Sequence, residues 1–270
     1  MTDPEQHRIE LNGAPATVDD LRHLVQTNYG HFSAMRVADG GVRGLDLHLA
    51  RIEAATLELF GSAIDRERVR SCLRHAIAGS SAPLALRVNI FARTLDRECL
   101  VEPVEADILV TVTPGSRAPT SPLRVKSFAF TRTLPHVKHV GTFPLFHFRR
   151  LAQQAGFDDA LFVDEAGNIE EGSIWNIGFF DGDSVVWPYA PQLTGVSMQL
   201  LQAGLARNGI GTSTQNVSLS QLGRFRSAFF TNSSVPVRSI SCIDTHIFIL
   251  DPGLDFMLRK SYESGSPQPL

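Results

Sequence analysis

The stretch PGSRAPTSP, residues 114–122, constrains this chain more than any other. Proline fixes φ and donates no backbone hydrogen bond, and the glycine and serines beside it have little to bury. Neither a helix interior nor a central strand can run through such a segment. A chain of 270 residues interrupted there is expected to build its core twice. The expected division is a small α+β N-terminal domain at 1–113, an interdomain linker at 114–122, a larger C-terminal α/β domain at 123–263 carrying Lys138, and a flexible tail at 264–270, where SGSPQPL offers little to pack.

Periodicity on either side of the break gives the fold class. Residues 8–11 run into Asn12-Gly13, a hairpin signal, and 32–37 with Asp39-Gly40-Gly41 repeat it. Asp46 is placed to cap a helix through Phe60 whose Leu45, Leu49, Ile52 and Leu59 share a face. A second helix is expected at 66–78, and buried strands at 84–92 and 106–113. Two helices on a mostly antiparallel sheet make an α+β layer. After the break, 123–131 reads as a strand and 143–155 as a helix stopped by Gly156. Short strands at 159–163, 169–171, 174–180 and 184–187 follow on tight turns. A helix at 196–208 and strands at 227–231 and 237–241 complete a curved α/β unit. The whole is α/β.

Composition excludes several function classes. Hydrophobic residues at 43% and charged residues at 20% describe an ordinary soluble globular protein. A net charge of −3 provides no basic surface for nucleic acid or an anionic membrane. There is no long apolar run, and the polar start MTDPEQHRIE is not that of a signal peptide. Cys72, Cys99 and Cys242 are sparse and lack metal spacing, which fits a reduced cytoplasm. His136 and His139 have no Cys or second His pair to complete a metal site.

Among 25 basic residues only Lys126, Lys138 and Lys260 are lysines. Guanidinium never gives up its proton in a protein, so a lysine kept against this arginine bias can serve as a deprotonable amine. Lys126 and Lys260 have ordinary surface readings, whereas Lys138 sits among apolar and aromatic residues in HVKHVGTFPLF. Glu171, Asn176, a helix opening at Leu193-Thr194-Gly195-Val196-Ser197, and a strand ending at Thr231-Asn232-Ser233-Ser234 follow in order. Taken singly, each has a plain reading: a solvated carboxylate, a helix cap, a turn.

As an ordered set they resemble the class IV aminotransferase family, the fold type IV group of pyridoxal 5′-phosphate enzymes. This group includes branched-chain and D-amino-acid aminotransferases and 4-amino-4-deoxychorismate lyase. The resemblance runs from Ile9-Glu-Leu-Asn-Gly13 through His48-Leu-Ala-Arg51-Ile52 to about Ile240. GNIEEGSIWNI, residues 167–177, is similar to the family's G-x-hydrophobic-x-E-x4-N-hydrophobic signature.

The resemblance implies a cofactor bound between two domains, in a protein that is usually a homodimer. It implies that Lys138 forms the internal aldimine and shuttles the proton by way of a quinonoid, and that Glu171 pairs with the pyridine nitrogen. Arg51, the backbone N–H groups of Val196 and Ser197, and Ser233 would hold the phosphate. Ser233 and Ser234 match a turn that offers N–H groups to a substrate carboxylate in some relatives, and Asn176 matches a residue bracing the Glu171 turn. Arg87 lies on a strand that faces the substrate in relatives. Its fork-shaped guanidinium suits a carboxylate, and a plain salt bridge is the alternative. Arg36 and Arg93 are weaker carboxylate candidates. His31, His139 and His147 are candidate pocket residues, and Phe143 packs where many transaminases carry Tyr.

Other departures are Met198 for Arg or Lys, Trp187 for Thr, Ser33 for Glu, and Gly178 for an aromatic residue. Three functions follow. The first is transamination between a small amino donor and an oxo-acid acceptor. The second is lyase-type elimination of pyruvate from a chorismate-derived substrate, towards which Lys138-His139 and Asn232-x-x-x-Pro236-Val237 lean. The third is a decayed member that no longer catalyses.

Overall fold

A computed structural model of the chain describes residues 8–80, 83–115 and 119–270. The polar start and the centre of the expected linker lie outside the described residues. The chain divides into two compact units. The first comprises Met1–Arg117, Val137–Gly141 and Pro267–Leu270, and the second Ala118–His136 and Thr142–Ser266.

Among the described residues of the first unit, six strands form one sheet: β1 (Arg8–Leu11), β2 (Ala14–Pro15), β3 (His31–Ala38), β4 (Gly41–Val42), β5 (Leu84–Phe91) and β6 (Asp107–Pro114). Their order is β2-β1-β6-β5-β3-β4 and every pairing is antiparallel. Helices α1 (Val18–Thr27), α2 (Leu45–Phe60) and α3 (Arg66–Ile77) accompany it. Leu45, Leu49 and Ile52 of α2 and Val69, Leu73 and Ala76 of α3 pack with Leu86, Val88 and Ile108 of the sheet. The sequence reading missed α1. Its start was nonetheless written as a capping box, with the Thr17 side chain accepting from the Asp20 N–H and Asp20 from Thr17.

Asp46 does not cap α2. The helix starts after Gly44, whose φ of 70° suits a residue without Cβ, and Asp46 falls inside the first turn. The Asp46 N–H instead donates to Gln268 Oε1 at 3.1 Å, while Val42 and Gln268 exchange both backbone hydrogen bonds at 2.9 Å. Leu270 packs on the same core. The segment 264–270 is therefore not a flexible tail over its last residues. Pairing satisfies its backbone, and a Cβ on Gly41 would collide with it.

The second unit contains β7 (Leu123–Ala129), α4 (Phe143–Gln154), β8 (Asp159–Val163), β9 (Ile169–Gly172), β10 (Asn176–Phe180), β11 (Val185–Pro188), α5 (Val196–Arg207), β12 (Thr212–Gln215), β13 (Ser227–Thr231), β14 (Arg238–Ile243), β15 (His246–Ile247) and α6 (Pro252–Glu263). The strand order is β12-β11-β10-β13-β14-β7-β8-β9, with β15 on β14. The edge strand β9 bonds onward to the segment after β12 through the Ile169 N–H and Val217 carbonyl at 2.7 Å, so the sheet curls on itself. Helix α6, also unread in the sequence, opens on Asp251, which accepts from the N–H groups of Gly253 and Leu254, with Pro252 at its first position. It crosses α5 at Gly204, where a Cβ would strike the Ser261 carbonyl. Among the described residues no helix is long and apolar enough to cross a membrane.

Lys138 belongs to the first unit, not to a 123–263 domain. The Phe32 N–H donates to the Lys138 carbonyl and the Val140 N–H to the Gly30 carbonyl, both at 2.9 Å, with His31 and His139 as bridge partners. These bonds dock 137–141 against the start of β3.

Candidate active site

The first unit gathers cations around two adjacent residues of β3. Lys138 is half-buried, with Nζ 4.7 Å from the centroid of the Phe32 ring. Arg87, on the neighbouring β5, lays its guanidinium over the same ring at 3.6 Å and donates from Nε to Asn89 Oδ1 at 2.9 Å. Among the described residues no carboxylate forms a salt bridge with Arg87. Its partners are a ring face and an amide. Ser33, next along β3, is fully buried. Its Oγ accepts from Arg51 Nη2 at 2.6 Å and lies 2.8 Å from His48 Nδ1. Burial pulls the Arg51 guanidinium down to about 10, so it stays charged at neutral pH. Arg51 Nε is buried and finds no hydrogen-bond partner among the described residues. Burial first, then the charges of Arg51 and Lys138, push His48 well below the usual histidine range and keep it neutral.

His31 is not a pocket residue. It is 1% exposed, its Nε2 lies 3.0 Å from Thr56 Oγ1, and its ring sits 6.3 Å from that of Phe60. Burial and the Arg51 charge lower it to about 3, which describes a neutral core histidine.

The second unit supplies a carboxylate and a helix start. Glu171, at 4% exposure on β9, accepts at Oε1 from Arg132 Nη1 at 3.0 Å and from the Leu193 N–H at 3.2 Å. Both side chains of the ion pair are buried. Glu170, beside it, takes a separate partner, accepting from Thr131 Oγ1 at 2.8 Å, and lines a cavity of about 500 Å³ with Asp164, Asn168 and Asn216. Burial raises the Glu170 carboxyl above its usual range.

Asn176 carries the geometry of Glu171 onward. Its Nδ2 donates to the Leu193 carbonyl at 2.7 Å and to Gln192 Oε1 at 3.0 Å, so it braces the loop that binds Glu171. Gly195 passes so close to Asn176 Oδ1 that a Cβ there would overlap it. This glycine precedes α5 and offers no side-chain cap. Val196 and Ser197 are buried in the first turn, where backbone N–H groups have no intrahelical acceptor. The Ser197 hydroxyl and that of Thr231, at the end of β13, are also buried without a hydrogen-bond partner among the described residues. Uncapped N–H groups, a favourable dipole and unanswered hydroxyls make the start of α5 suited to an anion.

Arg132 was missed in the sequence, and no local pattern marks it, because its partner lies 39 positions away. Thr131 and Thr231 were not singled out either. The Ser234 N–H donates to Asn232 Oδ1 at 3.0 Å, as does the Val235 N–H at 2.8 Å. Ser233 follows Asn232 in that turn and is half-buried. Phe143 is 76% exposed at the start of α4, stacked on His147 with centroids 5.7 Å apart. Among the described residues no group of three His, Cys, Asp or Glu could hold a metal ion.

Three departures from the family pattern converge on one apolar cluster. Trp187, Phe229 and Met198 pack together, with the Trp187 and Phe229 rings edge to face at 5.4 Å. Gly178 pairs with Phe229 across β10 and β13, and a Cβ there would run into that ring. Met198 and Trp187 fill a core, and Gly178 makes room for it.

The family described as amino-transferase class IV matches residues 30–243 of this chain. A curated relative, the probable branched-chain-amino-acid aminotransferase of Rickettsia bellii, is 24% identical over 242 residues, covering 85% of this chain and 83% of the relative. The branched-chain aminotransferase of Thermoproteus uzoniensis, solved with norvaline, superimposes with a TM-score of 0.82 at 16% identity, covering 94% of this chain and 93% of that one. An aminotransferase from Brucella abortus, bound to the cofactor PLP, gives 0.75 at 20% identity over 86% and 87%. At such identities the two structures establish the shared fold.

Proposed function

This chain belongs to the class IV aminotransferase family, and on that premise we propose that it is a pyridoxal 5′-phosphate-dependent aminotransferase moving an amino group between a small amino acid or amine and an oxo acid. The observation that carries the reading is the start of α5. Buried N–H groups and the unanswered Ser197 hydroxyl follow directly on the loop whose Leu193 N–H binds Glu171. A phosphate and a protonated ring nitrogen are the charges these groups suit.

When bound, the cofactor supplies an aldehyde that condenses with amines and a ring that spreads the charge left on the substrate α-carbon. By the family resemblance Val196, Ser197 and Ser233 would hold the phosphate, as would Arg51, and Thr231 would add its orphaned hydroxyl. Glu171 keeps the proton on the ring nitrogen. Arg132 and the Leu193 N–H hold this carboxylate in place through its Oε1. Lys138 Nζ takes the proton from the substrate α-carbon and returns it, which requires the neutral amine. Arg87, with no carboxylate partner among the described residues, receives a substrate carboxylate in a two-point fork.

Borohydride reduction of the cofactor-loaded protein followed by peptide mapping should leave a pyridoxyl group on Lys138. A panel of amino donors should convert the cofactor to its amine form, with the absorbance change read directly. A modified Lys138 with no donor accepted would remove transamination. Release of pyruvate without any acceptor would move the chain to the lyase branch.

A further inference from the structure

We propose that Ser33 and His48 are positioning residues that fix the Arg51 guanidinium in the orientation that receives the cofactor phosphate. The inference rests on the reading of Arg51 as a phosphate ligand and adds how the chain prepares it. His48 and Arg51 stand three residues apart on α2, so their side chains share a face. Ser33 reaches both from β3, and the three polar groups form one contiguous chain.

The proton positions follow from the distances. Arg51 Nη2 can only donate, and it lies 2.6 Å from Ser33 Oγ and 3.4 Å from His48 Nδ1. Two N–H groups do not face each other, so Nδ1 carries its lone pair here and the ring proton sits on Nε2. The Ser33 hydroxyl is left to donate to Nδ1 at 2.8 Å. Each group has one role, and exchanging any two leaves a donor against a donor. Both Ser33 and His48 are at most 1% exposed, so no solvent competes for these bonds.

Holding one end of the guanidinium at Nη2 sets the direction of the rest, including the buried Nε that has no partner among the described residues. Both partners are uncharged. They orient Arg51 without neutralising it, which leaves its charge for an anion. A free arginine side chain samples many rotamers, and a phosphate ligand that must first be ordered binds more weakly than one already held.

The test is the affinity of the full-length apoprotein for pyridoxal 5′-phosphate and for pyridoxal, which lacks the phosphate. Contacts to the aldehyde and ring cancel in the ratio of the two, leaving the contribution of the phosphate. Ser33→Ala should weaken the phosphorylated ligand about tenfold, the scale of a hydrogen bond to a charged group, and pyridoxal less than about twofold. Ser33→Thr, which keeps the hydroxyl, should restore the ratio. His48→Gln, which moves the acceptor away from the Nδ1 position, should show the same phosphate-selective loss and stands in if Ser33→Ala fails to fold. In an Arg51→Gln background Ser33→Ala should cost nothing further.

Equal losses for both ligands would make Ser33 merely structural and overturn the proposal. So would an unchanged ratio in Ser33→Ala together with a ratio abolished in Arg51→Gln. A wild-type protein that does not prefer the phosphorylated ligand, or keeps its preference in Arg51→Gln, would refute the phosphate role of Arg51 and this inference with it.

Discussion

Arg51 in the first unit and the opening of α5 in the second both offer N–H groups to an anion, yet they are built from different parts of the chain. The first is a side chain steered by two other side chains, Ser33 and His48. The second is backbone, shaped by a glycine that approaches Asn176 and by the first helical turn beyond it. Their charge balance differs as well. Glu171 is paired with Arg132 inside the second unit, so its charge is answered whether or not anything is bound. Among the described residues Arg51 meets only neutral partners, Ser33 and His48, and burial works against its charge. An ion pair closed within one unit is answered within that unit, whereas a cation held by neutral groups keeps its charge open to a ligand.

The sharpest way to break this comparison is to remove each arginine and measure the stability of the apoprotein. Arg132→Leu removes the cation paired with the buried Glu171 carboxylate and should cost about 3–5 kcal/mol in denaturant unfolding. A loss below about 1 kcal/mol would mean that the pair is not structural.

Acid should separate the units next. His31 is neutral in the fold, with its value lowered to about 3, and ordinary when unfolded. The unfolded chain therefore binds the extra proton, and stability falls as pH drops from about 6.5 towards 3. The loss from His31 amounts to about 2 kcal/mol by pH 5. His48 adds a loss of the same sign. In the second unit the raised Glu170 carboxyl works the other way, since its burial cost is relieved on protonation. Hydrogen exchange at pH 7 and pH 5 should show the first unit loosening first, and His31→Gln should flatten the difference. Equal loosening of both units would contradict the assignment of these groups.

The smallest effect is expected at Arg51. Arg51→Gln should change apoprotein stability by less than about 1 kcal/mol, because it removes a buried charge that its own unit does not pair. A large destabilisation in thermal melts would show that Arg51 holds the fold together and is not reserved for a ligand.

How much of this was legible beforehand follows the distance over which each feature is encoded. The strands around Asn12-Gly13 and Asp39-Gly40, the helix at α5 and the cluster of Glu171, Asn176 and Gly195 are local patterns of turn, period and cap. Their residues lie close enough in sequence to be read together. Helices α1 and α6 carried their caps in plain view at Thr17 and Asp251 and were overlooked. That His31 meets Thr56 and Ser234 meets Asn232 was not legible, because a residue type discloses what it can bond to, not which neighbour reaches it first.

From its residues alone the chain determined its mixed α/β class, the apolar and aromatic neighbours of Lys138 in an arginine-biased sequence, and the ordered set that places it in its family. Only the folded chain decided that Lys138 packs with the first unit, that Arg132 answers Glu171, and that Gln268 satisfies the start of α2 from 222 positions away. Periodicity and capping act within a few residues, so sequence displays them. A buried polar group takes whichever partner folding brings within about 3 Å, and that choice is made by packing across the whole unit.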